Sequence, residues 1–138
     1  MSLLSIKKAI EDRFIANWTG TNLDSNVRFE NTEFTPPSGE EWVSLDIVWA
    51  NSQNAAIHTN LDTRRNGFII IDAYAMADQG SRGAIALVDE ANSIFENQQF
   101  NNIQCLASRP RHIGINNTQG SDATWYIYRT SIPFYSYE

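Results

Sequence analysis

Lysine is nearly missing from this sequence: Lys7 and Lys8, side by side, are the only two among 138 residues. The remaining bases are arginines, and sixteen acids outweigh them to leave a net charge of −6. A chain with that balance is poorly suited to wrapping nucleic acid, because neutralising phosphates takes clustered lysine and arginine. Cysteine is scarcer still. Cys105 stands alone, which excludes an internal disulfide and suits a reducing compartment. No apolar run approaches the roughly 18 residues of a membrane span. The opening MSLLSIKKAIEDRF puts charges where a signal peptide needs an apolar core. The expectation is a soluble protein, intracellular when made, with no membrane partner. Without a secretion signal, the sequons Asn17-Trp18-Thr19 and Asn116-Asn117-Thr118 read as chance matches.

What the chain does have is apolar and aromatic material, 42% and 12% of its residues. At this length that suffices for one domain spanning residues 1–138, burying roughly 68% of its unfolded surface. Ser2 is placed to cap a first helix over about residues 3–17, with Leu3, Ile6, Ile10 and Phe14 as its apolar stripe. Residues 27–30 suit a short extended segment, and FTPPSGEE, with Pro36, Pro37 and Gly39, reads as a loop. A strand follows over 42–50, where Val43, Leu45, Ile47 and Trp49 alternate with a mixed face. Residues 55–60 suit a returning strand or a hairpin arm.

The densest signal is RRNGFIIIDAYAMADQGSRGAIALVDEANSIFE, residues 64–96. It reads as a buried strand through Phe68–Met76, a glycine-bearing turn capped by Ser81, and an amphipathic helix. The helix presents Ala84, Leu87, Val88, Ala91, Ile94 and Phe95 on one face. Residues 103–107 suit a short strand and 108–122 a long polar loop. The aromatic ATWYIYRTSIPFYSYE is a final strand, in which Pro133 indicates an edge, a bulge or a strand end. Runs of strands with only two helices predict an α+β fold. It should be one mixed, mostly antiparallel β-sheet with two main helices packed on one face.

Catalytic chemistry finds little support. Cys105 alternates with apolar neighbours and reads as a small core hydrophobe rather than a nucleophile beside a base. His58 and His112 lie in polar stretches without a second ligand at zinc-type spacing. Glu40-Glu41 and Asp89-Glu90 read as solvated surface rather than acid–base pairs. Asp72, the only charge in its strand, suits an exposed place on a mixed face better than a buried one. The Asp78–Gly83 turn lacks both the GxxxxGK[ST] and GxGxxG patterns, so it reads as a plain connection and not a phosphate cradle. No enzyme, cofactor or metal site is expected.

Arginine does cluster, as Arg64-Arg65 and as Arg109 with Arg111 and His112, near the aromatic Trp125, Tyr126 and Tyr128. A single-stranded nucleic-acid platform uses such residues. The acidic balance instead favours a protein contact surface, which is also rich in arginine and aromatics.

Several of these segments together resemble the phage tail terminator-like family of long-tailed bacteriophages. They are the helix ending in Asn17-Trp18, PPSGEEW (Pro36 to Trp42), RRNGFIIIDAYA (Arg64 to Ala75), the helix RGAIALVDEANSIFE, and the aromatic strand ending in IPFYSYE. The resemblance spans almost the whole chain, through structural rather than chemical motifs. The sequence departs at Ala75-Met76-Ala77, where family members often place a proline before the glycine turn. What the resemblance implies is a virion tail protein assembled in the host cytoplasm. It would form a homo-oligomeric ring, usually hexameric, that caps the tail tube, stops its growth and receives the head. Its partners would be copies of itself, the tail tube protein and a head-completion or neck protein. DNA would cross the lumen without specific binding. The alternatives are a neck protein of the same particle and a small-ligand or peptide-binding domain. Six copies would carry six times −6, or −36; acids along the lumen would repel passing DNA, leaving the arginines for protein contacts.

Overall fold

The computed structural model describes residues 2–37, 39–54, 63–77, 79–117 and 124–137. The expected return strand over 55–60, together with His58, lies outside them. Helix α1 (Leu3–Asn17) begins at Ser2, whose hydroxyl accepts from the Ser5 backbone N–H at 3.1 Å, satisfying one of the free donors of the first turn. Then come β1 (Val27–Phe29), β2 (Trp42–Asn54), β3 (Thr63–Met76), α2 (Arg82–Phe95), β4 (Gln99–Phe100), β5 (Ile103–Cys105), β6 (Arg109–Asn117) and β7 (Thr124–Tyr137). These strands form one sheet in the order β1-β2-β3-β7-β5-β4, with β6 also paired to β7. Among the described residues only β1 with β2 is parallel. The mixed, mostly antiparallel α+β architecture expected from the element pattern is the one found.

Alternation along each strand sorts the sheet into two faces. Val43, Leu45 and Ile47 of β2, Ile69, Ile71 and Ala73 of β3, and Ile132 and Phe134 of β7 share one buried cluster with both helices. Helix α2 contributes Ala84, Leu87, Val88, Ala91, Ile94 and Phe95, the six residues its periodicity marks. Helix α1 contributes Ile6, Ala9, Ile10 and Phe14, while Leu3, expected in the stripe, is 46% exposed. Phe14 stacks on Trp18 at 4.9 Å. Glu90, expected to be solvated, ties the end of α1 to α2 by accepting from the backbone N–H groups of Thr19 and Gly20 at 2.8 and 2.7 Å.

Three segments depart from expectation. The loop expected over 108–122 is a strand over Arg109–Asn117, where β6 pairs antiparallel with β7 from Arg109↔Ser131 to Asn117↔Thr124, and its remainder over 118–122 lies outside the described residues. An edge strand tolerates Pro110 and a bulge at 112–114, where Gly114 takes φ 109. Nor is Pro133 at an edge, since β7 lies between β3 and the β5/β6 pair. Its carbonyl accepts from Leu106 at the break between β5 and β6, so its missing N–H faces a gap in the neighbouring strand rather than a carbonyl. The strand expected over 103–107 stops at Cys105 and is joined to β4 by Asn101 and Asn102, both at positive φ. That pair is a two-residue hairpin turn of the kind that matches strand twist.

Gly67 is where the central pairing is tightest. A Cβ there would stand 2.8 Å from the Phe134 ring and 2.9 Å from the Val48 carbonyl oxygen. The ring can turn, but the backbone oxygen cannot move without disturbing β2. Gly67→Ala is therefore expected to cost about 1–3 kcal/mol, the usual range for overpacking. Urea unfolding of the two proteins measures it, and an equal or higher midpoint for the variant would refute this account of the glycine.

Candidate assembly interface

Among the described residues no helix or strand covers the sheet face away from the helices, and only the segment between β1 and β2 reaches over it, packing Phe34 onto Trp42 at one end. The upper end of this face is aromatic. Trp42 stacks on Tyr74 with ring centres 3.7 Å apart, Trp125 meets Trp42 edge-on at 5.9 Å, and Phe34 and Ile113 pack at the margin. Neither indole N–H has a hydrogen-bond acceptor among the described residues, so stacking and apolar contact hold this group together.

Below it the face turns ionic. In register across five strands lie Arg28, Ser44, Asp72, Arg129 and Arg111. Asp72 is 7% exposed, which corrects the expectation of a solvated acid. Arg129 donates to it through Nε at 2.7 Å and Nη2 at 3.1 Å, a two-pronged contact across the β3–β7 pairing. The same hydrogen bonds raise the Arg129 pKa above its already high ordinary value. Burial made Asp72 unreadable from sequence because the compensating charge lies 57 residues away. Nearer the β1 edge, Arg28 pairs with Asp46 at 3.1 Å. Burial pushes the Asp46 carboxyl above the ordinary carboxylate range, against the pull of Arg28.

The candidate contact residues divide between the two faces. Arg64, Arg109 and Arg111 occupy the uncovered face. Arg64 lies over the Tyr135 ring at 4.2 Å and donates to Asn66. Arg109 stands 6.0 Å from the Phe68 ring centre. Arg109 and Arg111, both exposed, line an open groove of about 430 Å³ floored by Phe68, Ile70 and Ser131. Arg65, His112, Tyr126 and Tyr128 alternate onto the helix-bearing face, where His112 lies against Tyr126 at 5.4 Å and Tyr128 at 6.3 Å. Trp125 is 1% exposed, so it shapes the uncovered face from beneath rather than meeting a partner directly.

The remaining chemistry is quiet. Burial pushes the Cys105 thiol up to about 12, leaving it protonated and unreactive near neutrality. No three His, Cys, Asp or Glu side chains among the described residues gather into a metal site. Ser81 takes the N-cap position of α2 without a side-chain cap bond. The acid there is Glu41, whose carboxylate occupies the space a Cβ on Gly83 would need. A carboxylate beside a helix N-terminus is favourable. Glu96 accepts from Ser108 Oγ at 2.6 Å and its backbone N–H at 2.7 Å, joining the end of α2 to the start of β6. Those bonds hold its carboxyl below the usual range.

The family model described as Phage tail terminator protein matches residues 5–130. No curated protein matches the chain. One solved structure, 21% identical in sequence, aligns with a TM-score of 0.63 over 100% of this chain and 96% of its own. At that identity the likeness carries the fold.

The Asp72–Arg129 pair gives an asymmetric expectation. Arg129→Leu strands a buried carboxylate and should cost on the order of 3 kcal/mol, toward the low end for buried pairs because the Arg129 side chain is 35% exposed. Asp72→Asn leaves an arginine that water can reach and should cost about 1–2 kcal/mol. Chemical denaturation of both variants at neutral pH ranks them; a larger loss from Asp72→Asn would contradict this reading of the pair.

Proposed function

Because this chain belongs to the phage tail terminator family, structural proteins of the virion tail, we propose that it caps the finished tail tube and ends tube polymerisation. The capped end then offers the surface that the head joins. It does so as a ring, hexameric in the simplest arrangement, whose partners are copies of itself, the tail tube protein and a head-completion or neck protein. The family match over residues 5–130 carries this reading. The fold supports it with an uncovered sheet face and two unlike sheet edges, β1/β2 on one side and β6 with β4 on the other. Closed rings need heterologous contacts, one patch of a subunit against a different patch of the next, and strand edges and loops are the usual means. Within the ring, Arg64, Arg65, Arg109, Arg111, His112, Tyr126 and Tyr128 serve protein contacts, with Trp125 supporting them from below. Assembly takes place in the host cytoplasm.

Particles made without the protein separate termination from joining. Overlong or uneven tails are the expected outcome. Tails of normal length that fail to join heads would overturn termination and assign the protein to the neck.

The lumen is expected to be acidic, so that DNA passes without a sticking site. A cryo-EM map of the capped tail tests this directly. Arginines lining an electropositive channel would refute it.

A further inference from the structure

Exposed charges of opposite sign lie at opposite edges of the sheet. At the β6 edge, Arg109 and Arg111 are exposed beside the groove over Phe68 and Ile70. Neither side chain makes a hydrogen bond or an ion pair with another described residue. The acids nearest them on the sheet are already engaged, Asp72 by Arg129 and Asp46 by Arg28. At the opposite edge, residues 30–41 cross from β1 to the start of the parallel strand β2. This crossover carries Glu30, Glu33, Glu40 and Glu41 and no basic residue. Glu30 pairs with Lys7 and Glu41 sits against α2, while Glu33 and Glu40 are exposed. Phe34 pins the crossover to Trp42 at 4.9 Å, and Pro36 and Pro37 stiffen it. The acidic strip is thus presented on a semi-rigid support, which lowers the entropy lost on docking.

We propose that the exposed acids of this crossover dock onto Arg109 and Arg111 of a neighbouring copy of the chain, and that this pairing sets the head-to-tail contact of the ring. Opposite charges on opposite sheet edges are what a heterologous interface requires, because each subunit then offers one patch of each kind. Two copies facing each other through like edges would oppose arginine to arginine or glutamate to glutamate, which disfavours a closed dimer. The groove over Phe68 and Ile70 supplies apolar area between the charges, suited to Pro36 and Pro37 of the crossover.

This inference rests on the ring reading, and its test distinguishes the two. Phage carrying Arg111→Cys together with Glu40→Cys would be grown, and tails isolated, oxidised and run on non-reducing gels. The pair is expected to give a ladder of covalently linked subunits that either single substitution lacks. The partner Glu33→Cys, paired with Arg109→Cys, samples the other register of the strip. Separately, Arg109→Glu with Arg111→Glu should lose tail-length control, and adding Glu33→Arg with Glu40→Arg should restore it. Thermal unfolding of the purified variants confirms that these exposed substitutions leave the fold intact. Multiple copies per capped tail, with no ladder from either pair and no effect of charge reversal, would overturn the interface while the ring stands. A single copy per capped tail, counted by mass spectrometry of isolated tails, would overturn both.

Discussion

The antiparallel pairing of β3 with β7, continuous from Arg64 to Met76, is the constraint on which the rest of this molecule depends. One face of that double strand takes Ile69, Ile71, Ala73, Ile132 and Phe134 into the helix-covered core. The other face carries Tyr74 and Ile127 in the aromatic group, then Asp72 and Arg129, then Ile70 and Phe68 toward the groove. Because side chains alternate with a period of two, slipping the register by one residue would put Asp72 in the core and Ile71 in water. The ion pair works as a register lock as well as a contact: Asp72 finds its partner only when β7 is correctly placed. Phe134 lying over Gly67 enforces the same register sterically.

This arrangement explains how so acidic a chain keeps a basic patch. Arginines placed randomly among sixteen acids would mostly be neutralised by neighbours. Here the sheet assigns most helix-side acids to other tasks: Glu90 holds the end of α1, Glu96 anchors the start of β6, and Glu11 and Asp12 pair with Lys7 and Lys8. The acids on the uncovered face are matched to Arg28 and Arg129. Arg109 and Arg111 remain exposed at the far edge, and Glu33 and Glu40 at the near one.

Legibility from sequence tracks how local the governing physics is. Helix α2 could be read residue by residue, since its buried face repeats at helical spacing and Gly80, at φ 81, marks the turn before it. The core side of β2 was equally plain in its alternation. Strand β6 was hidden: RPRHIGINN contains a proline, a glycine and four charged or amide-bearing polar side chains among its nine residues, a composition that an exposed edge tolerates and a central strand does not. Asn101-Asn102 was a local signal for the β4–β5 hairpin that the polar context masked. The state of Asp72 was beyond local reading altogether, because its burial depends on Arg129, brought alongside only by the complete sheet.

The strength of the proposed contact bears on when a terminator should act. Exposed ion pairs contribute about 0–1 kcal/mol each and are screened beyond roughly 8 Å at physiological salt. A few such pairs between protomers cannot hold six dilute subunits together against the translational and rotational freedom they lose. If the tube end binds each subunit even weakly, neighbours are held at high effective concentration, and the same pairs become sufficient. A weak, directional contact between edges would therefore keep the protein dispersed while tubes grow. It would close the ring only where a tube end organises the subunits, and the net charge of −6 on each copy reinforces dispersal by mutual repulsion. A strongly apolar interface would forfeit that timing, since rings would form free of any tube. On this reading, charged rather than apolar edges are the condition for a cap that assembles in place.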